Sequence, residues 1–172
     1  GTVNPVPEMV AIGKAAGAVV LVDACQWAPH RPIDVGLLGM DFIAFSAHKM
    51  LGPTGVGVLW GREELLEAMD PFLGGGDMIS RVTLEKSDWN VLPFKFEAGT
   101  PNFADAAAFG PALDYLIAVG LDVLRAHEET LAAKARAILE AEPSVSLLGP
   151  RDPAKRSGVV SFNIAGLHPH DV

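Results

Sequence analysis

Cysteine is nearly absent from this sequence: among 172 residues there is only Cys25. No intrachain disulfide can form, which excludes a disulfide-stapled scaffold. Basic charge is also scarce. Thirteen Lys and Arg face 21 Asp and Glu, for a formal net charge of −8. No basic run breaks that balance, which excludes an electrostatic nucleic-acid binder and a polybasic membrane surface. No uncharged apolar run approaches the ~18 residues of a transmembrane helix. The opening Gly-Thr-Val-Asn-Pro lacks the basic and apolar regions of a signal peptide. The expectation is a soluble cytoplasmic protein.

Apolar material, by contrast, is plentiful. Hydrophobic residues make up 49% of the chain and charged residues 20%, enough to bury a core, so global disorder is excluded. Pro5 to Gly17 has helical spacing, with Met9, Ile12 and Ala16 on one face, proline at the start and Gly17 as a stop. Ala18–Asp23 is a continuous β-rich run, too short for a helix, and suits a parallel strand buried on both faces. Asp41–Ser46 reads as a second such strand. Val56–Trp60, beyond the turn Gly52-Pro53-Thr54-Gly55, is a third strand, short and apolar. Glu63–Met69 is a short helix, and Pro71–Pro93, with Gly74-Gly75-Gly76, is a long irregular loop of the kind that often carries function.

Helical periodicity runs from Asp105 to Glu140 and is interrupted near Gly120. Ala107, Pro111, Leu113, Leu116 and Ile117 form the first apolar face; Leu124, His127, Leu131 and Ile138 form the second. Val145–Leu148 and Val159–Ile164 are strands. This order predicts an α/β sheet covered on its faces. Residues 1–120 are expected to be part of one larger domain, and 121–172 a linking helix and the incomplete beginning of a smaller one.

Ligands of open parallel sheets sit beyond the carboxyl ends of the strands. Two consecutive strands here end on Asp23 and on Ser46-Ala47-His48-Lys49, which puts a carboxylate and a lysine on one rim. A lysine at a crowded rim can become a nucleophilic amine, and a buried Asp beside it needs a cation or a protonated ring nitrogen. Pyridoxal phosphate answers both needs. Asp23 as a helix cap and Lys49 as a solvated surface lysine is the plainer alternative, and spacing alone leaves both open.

Val22-Asp23-Ala24-Cys25-Gln26 and the run Phe45 to Gly57, with Ser46-Ala47-His48-Lys49 and Gly52-Pro53-Thr54-Gly55 inside it, resemble the class V aminotransferase-like family, nearest its SUF-type cysteine desulfurases. Gly74-Gly75-Gly76-Asp77-Met78-Ile79 and Phe96-Glu97-Ala98-Gly99-Thr100-Pro101-Asn102 are similar to two further blocks in the same order. The likeness covers essentially the whole chain. It implies the three-layer, mainly parallel sheet of the fold type I large domain, plus the start of a smaller α+β domain. It also implies pyridoxal 5'-phosphate as cofactor. Lys49 would be joined to it covalently, Asp23 would pair with the pyridine nitrogen, and Gln26 would face the phenolic oxygen. Ser46 and His48 would bind the phosphate; hydroxyl and imidazole donors suit phosphate oxygens. Thr100 would reach the phosphate held by a neighbouring subunit, which implies a homodimer, and the Gly74 loop would lie near the entrance.

The reaction implied takes L-cysteine to L-alanine, with the sulfur held as a persulfide and passed to an acceptor protein for iron–sulfur cluster assembly. Selenocysteine lyase or another class V enzyme is one alternative. A catalytically inactive fragment that only assembles with other chains is another. In the family the nucleophilic cysteine lies far downstream; Cys25, between Asp23 and Gln26, is read as a packing residue. The upstream ring-stacking segment is also missing, the chain does not begin with Met, and Asp171 reads as the opening of a helix whose body is absent. The expectation is the middle of a larger enzyme.

Other attractive residues have plain readings. Val58-Leu59 after the Gly52–Gly57 turn rules out a P-loop, which requires Lys-Ser/Thr. His30, His127, His168 and His170 show no metal spacing, so no metal site is expected. Trp27, Trp60 and Trp89 are core or interface residues, and Glu128-Glu129 with Lys134 and Arg136 is a solvated helix face.

Overall fold

A side chain at Gly13 would meet Val20 Cγ2 at 2.8 Å. In a computed structural model that describes residues 1–172, its absence lets helix α1 (Val6–Ala15) lie against the segment entering strand β1 (Leu21–Asp23). Proline in the first turn, Glu8 near the start and Lys14 near the end suit the helix dipole. The inward face is Val6 and Val10, the latter 2% exposed. The expected face points to solvent instead, with Met9 58% and Ile12 71% exposed. Apolar spacing alone left two overlapping faces, and close approach at Gly13 selects the one it shares with Val6 and Val10.

Strand β1 pairs in parallel with β2 (Phe42–Ser46), Leu21 opposite Phe42 and Asp23 opposite Ala44. Strand β3 (Gly57–Gly61) runs antiparallel to β2, with Phe42 opposite Gly61 and Ser46 opposite Gly57, in the order β1-β2-β3. The expected third strand is present, and it runs antiparallel within a sheet read as mainly parallel. A parallel crossover needs a dozen residues or more, and only residues 47–56 are available. They form a 3-10 turn, Ala47–Met50, and reverse direction at Leu51 with φ 62°. Gly52 is then packed so closely that a Cβ would lie 2.7 Å from the Phe109 ring. Strand β2 carries the buried Phe42 and Ile43, whereas Leu21 of β1 and Val58, Leu59 and Trp60 of β3 stay exposed. The strands flanking β2 are thus not covered on both faces.

Two apolar clusters hold this unit. Val10, Ala24, Met40 and Ile43 form one beneath α1. Ala28, Ala47, Met50, Phe109 and Leu116 form the other, beneath helix α4 (Phe103–Val119). Helix α2 (Val35–Leu38) is a single turn capped by Asp34, and α3 (Glu63–Ala68) follows β3. The region from Pro71 to Pro93 is not wholly irregular. It contains an antiparallel hairpin, β4 (Ile79–Val82) and β5 (Ser87–Trp89). Its strands are short and polar, and Ser80 Oγ donates to the carbonyls of Asp88 and Trp89, so no apolar alternation announced them.

Asn102 caps α4, and Gly120 at φ 83° separates it from α5 (Leu121–Glu140) with a bend of 74°. No single helix is long and apolar enough to cross a membrane. The expected faces shift here as well. Phe109 and Leu116 are buried in α4 while Ile117 is exposed; Ala132 is buried in α5 while Leu131 and Ile138 are exposed. In α5 the inward stripe includes the half-buried Arg125 and Glu128, so a pattern of apolar residues alone misplaced it. Strands β6 (Val145–Leu147) and β7 (Phe162–Ile164) pair antiparallel at the end of the chain, β7 being shorter than expected. The N-terminal residues join this end: Thr2 bridges Arg156, and Val3 N–H donates to the Lys155 carbonyl at 2.9 Å.

One buried charge anchors the start of β2. Asp41 is 1% exposed and accepts from Lys14 Nζ at 2.7 and 2.9 Å and from Val20 N–H at 2.8 Å, with Arg62 Nε 3.3 Å away. The Lys14 bond, then the Val20 N–H, hold its carboxyl below its ordinary pKa against the effect of burial. A depressed folded pKa stabilises the fold above the unfolded value of ~3.9, and that contribution is lost as pH falls through the folded value. We expect Asp41→Asn to lower the thermal midpoint at neutral pH and to flatten the loss of stability in acid. Thermal unfolding followed by circular dichroism across acid pH checks this; identical acid limbs in the two proteins would refute it.

Candidate functional site

Parallel pairing of β1 and β2 sends both carboxyl ends to one rim, and each strand ends there in a turn built on small buried residues. At the end of β1, Asp23 Oδ1 accepts from Cys25 N–H at 2.9 Å. The fully buried Ala24 carries the ladder one residue further, its N–H donating to the Ala44 carbonyl at 2.8 Å. Trp27 and Ala28 then donate to the Ala24 carbonyl, at 2.9 and 2.8 Å. At the end of β2, the turn Ala47–Met50 buries Ala47 and Met50 and leaves His48 exposed and Lys49 half-buried. Cys25 Sγ, 3.6 Å from Ser46 Oγ, joins the two turns.

The charges are arranged to match. Asp23 is exposed, and its pKa lies below its ordinary value. The Cys25 N–H bond is the largest cause, followed by the Cys25 side chain; desolvation opposes them, and the positive charge of Lys49 adds a smaller lowering. Asp23 is therefore ionised at neutral pH and within electrostatic reach of Lys49. Gln26 and His48 stand on the same two turns, exposed and without a side-chain hydrogen bond to the rest of the chain. The rim thus offers an amine, a carboxylate able to hold a protonated nitrogen, and hydroxyl, imidazole and amide groups able to donate to oxyanions. No group of three or more His, Cys, Asp or Glu is arranged to hold a metal ion.

Thr100 is carried by a different loop. It is exposed in the loop before α4, beside Gly99, whose N–H donates to the Gly76 carbonyl at 3.0 Å. That loop borders a groove of about 860 Å³ lined by Gly55, Gly57, Asp77, Asn90, Glu97 and Asn102, among others. None of Asp23, Ser46 or Lys49 lines it. Within one chain, then, Asp23, Ser46 and Lys49 come together through Cys25 and their charges, with Gln26 and His48 on the same two turns, and Thr100 makes no hydrogen bond to any of them.

Sequence reasoning missed two supports. Cys25 does more than fill space, since it bonds at both Asp23 and Ser46. Lys95 is buried and donates its ammonium to the carbonyls of Leu66 and Glu67 at 3.0 and 2.8 Å, tying the segment before the Thr100 loop to the end of α3. A lone lysine among loop residues carries no periodic signal that would reveal such a role.

Comparison with known proteins finds relatives along the whole chain. The family model described as aminotransferase class-V matches residues 1–172. A probable cysteine desulfurase of Streptomyces coelicolor is 49% identical over 172 residues, covering 100% of this chain and 41% of that protein. The apo structure of a cysteine desulfurase from Thermococcus onnurineus NA1 superposes with a TM-score of 0.93 at 41% identity, over 99% of this chain and 43% of that one. The crystal structure of the cysteine desulfurase CsdA from Escherichia coli gives 0.90 at 39% identity, over 97% and 41%. The chain spans about two fifths of the length of these relatives.

Asp23 should titrate below an ordinary aspartate, with the backbone bond from Cys25 as the main cause. Replacing Lys49 by Met should raise its midpoint only slightly, because the lysine's charge is the smallest of the lowering effects. A carboxyl-detected NMR titration measures both; an Asp23 midpoint at or above the ordinary value refutes the arrangement.

Proposed function

The chain belongs to the aminotransferase class-V family, and on that premise we propose that it is the cofactor-binding part of a pyridoxal-phosphate-dependent cysteine desulfurase. The observation that carries this reading is the shared rim where Asp23, Ser46 and Lys49 meet; the names of the relatives support it. The residues present fit the cofactor by chemistry. Lys49 is an amine free of any ion pair, suited to hold a carbonyl carbon covalently. Asp23 keeps its negative charge at neutral pH and suits a protonated ring nitrogen. Gln26 can donate to a phenolic oxygen, and Ser46 and His48 to a phosphate.

Bound there, pyridoxal phosphate supplies an electron sink for charge developing at the substrate carbon. Lys49 Nζ is the one amine of the rim and is the group placed to carry a proton to or from that carbon. Overall, the carbon–sulfur bond of L-cysteine breaks, the sulfur passes to a thiol as a persulfide, and L-alanine leaves. One cysteine and one thiol give one alanine and one persulfide, with no outside oxidant. The chain's own thiol, Cys25, is engaged between Asp23 and Ser46, so in this reading another thiol receives the sulfur.

A homodimer belongs to the proposal. Thr100 is exposed and makes no side-chain hydrogen bond within its own chain, which suits a role in a partner's site, and the exposed apolar residues of β3 offer surface for association. A sulfur-acceptor protein, a place in iron–sulfur cluster assembly and a cytoplasmic setting, where a free thiol stays reduced, complete it.

Adding pyridoxal phosphate should produce a new absorbance band that Lys49→Ala abolishes. A folded chain that takes up no cofactor would overturn the reading. Incubated with L-cysteine and cofactor, the chain alone should release little alanine; robust turnover would instead assign the sulfur-accepting thiol to Cys25.

A further inference from the structure

Gln26 is exposed and its amide bonds to nothing in the chain, so the direction of its side chain depends on the backbone that carries it. Upstream, that backbone is fixed by the buried Ala24 and its bond to Ala44. Downstream, it forms an unbroken hydrogen-bonded coil. Trp27 and Ala28 donate to the Ala24 carbonyl, and His30 and Arg31 donate to the Trp27 carbonyl at 2.9 and 3.1 Å. A displacement of His30 is therefore transmitted to Gln26.

The end of this coil is clasped from 98 residues away. His30 Nδ1 lies 2.7 Å from Glu128 Oε1, with the two side chains 35% and 25% exposed. Arg31 sits 3.6 Å from Glu129 Oε1 and donates to the Arg156 carbonyl at 3.4 Å. Arg125, on the same helix, is 3.7 Å from Glu129. Both carboxylates are consecutive residues of α5. Fully exposed ion pairs contribute little because solvent and side-chain entropy offset them. The His30–Glu128 pair is partly shielded and short, the condition under which such a bond holds a geometry.

We propose that His30 and Glu128 are positioning residues: their bond clasps the 24–31 coil to α5 and thereby sets the orientation of Gln26 at the cofactor's phenolic oxygen. The proposal rests on the role given to Gln26 above. It also makes α5, remote from the rim in sequence, a determinant of the cofactor's environment. Glu128→Gln keeps an acceptor for an Nδ1–H donor, whereas Glu128→Ala and His30→Ala remove the bond.

Hydrogen exchange on the cofactor-free chain reads the clasp directly. The amides of Trp27, Ala28, His30 and Arg31 should exchange roughly tenfold faster in both alanine variants, while Phe42–Phe45 stay protected. Glu128→Gln should keep wild-type exchange. Unchanged exchange in the alanine variants overturns the clasp, whether or not cofactor binds. Titration of the absorbance band with pyridoxal phosphate reads the coupling to Gln26. His30→Ala should weaken affinity about threefold to tenfold, the range of one hydrogen bond, with no further loss in the double variant with Gln26→Ala. Additive losses overturn action through Gln26. Absence of the band in the unaltered chain overturns the cofactor reading itself, an outcome separate from the exchange result.

Discussion

The parallel pairing of β1 with β2 is the constraint on which the rest depends. With Leu21 opposite Phe42 and Asp23 opposite Ala44, the two strands end at the same level, so the residues that follow them emerge side by side. Shifting this register by one residue would reverse which face each side chain occupies and would separate Asp23 from the turn that carries Ser46 and Lys49. The Asp41 carboxylate, bonded to Lys14 and to the Val20 N–H, secures that pairing from the opposite end. It joins α1, the entry to β1 and the start of β2 at one buried point. The acid-base character of the rim and the stability of its scaffold thus rest on two aspartates with different duties. One is buried and fully bonded, the other exposed and partly free.

Small residues do much of the positioning. Ala24 and Ala47 are fully buried directly after β1 and β2, which locks both turns without occupying the space where a ligand would sit. Gly13 lets α1 approach, and Gly52 lets Phe109 of α4 press on the turn that carries Lys49. Gln26, His48 and Lys49 make no side-chain hydrogen bond or ion pair at the rim, an arrangement that disfavours a purely structural role and suits a site meant to meet a polar ligand. Around this core many apolar side chains remain uncovered, notably on β3, and only 16 of 172 residues are buried. That surface gives association a physical motive.

The meeting of Asp23 with the turn that carries Ser46 and Lys49 was legible in sequence because it follows from local pattern. Asp23 and the Ser46–Lys49 run each follow an apolar run within a few residues, and the position of ligands beyond strand ends is a property of the fold class. The ordered motifs carried the family assignment for the same reason. Helix faces were less legible: Met9 and Ile12 form as good an apolar stripe as Val6 and Val10, and nothing in periodicity says that Gly13 must face Val20. The hairpin β4–β5 escaped notice because its strands are paired through backbone and Ser80 bonds rather than through a buried apolar face. Glu128, read as solvated, turned inward because a histidine nearly a hundred residues away faces it.

Sequence by itself therefore determined the class of fold, the chemical groups on offer and the approximate strands that bear them, since these follow from short-range pattern and residue type. Tertiary structure decided which groups meet. It placed Cys25 between Asp23 and Ser46, made β3 antiparallel because ten residues cannot cross over, tied the loop after Thr100 to the Gly55 carbonyl through Asn102, and closed α5 onto the coil after Gln26. Each of these depends on contacts between residues far apart in the chain. Such contacts are selected by close packing and by the pairing of charges, which no local pattern records.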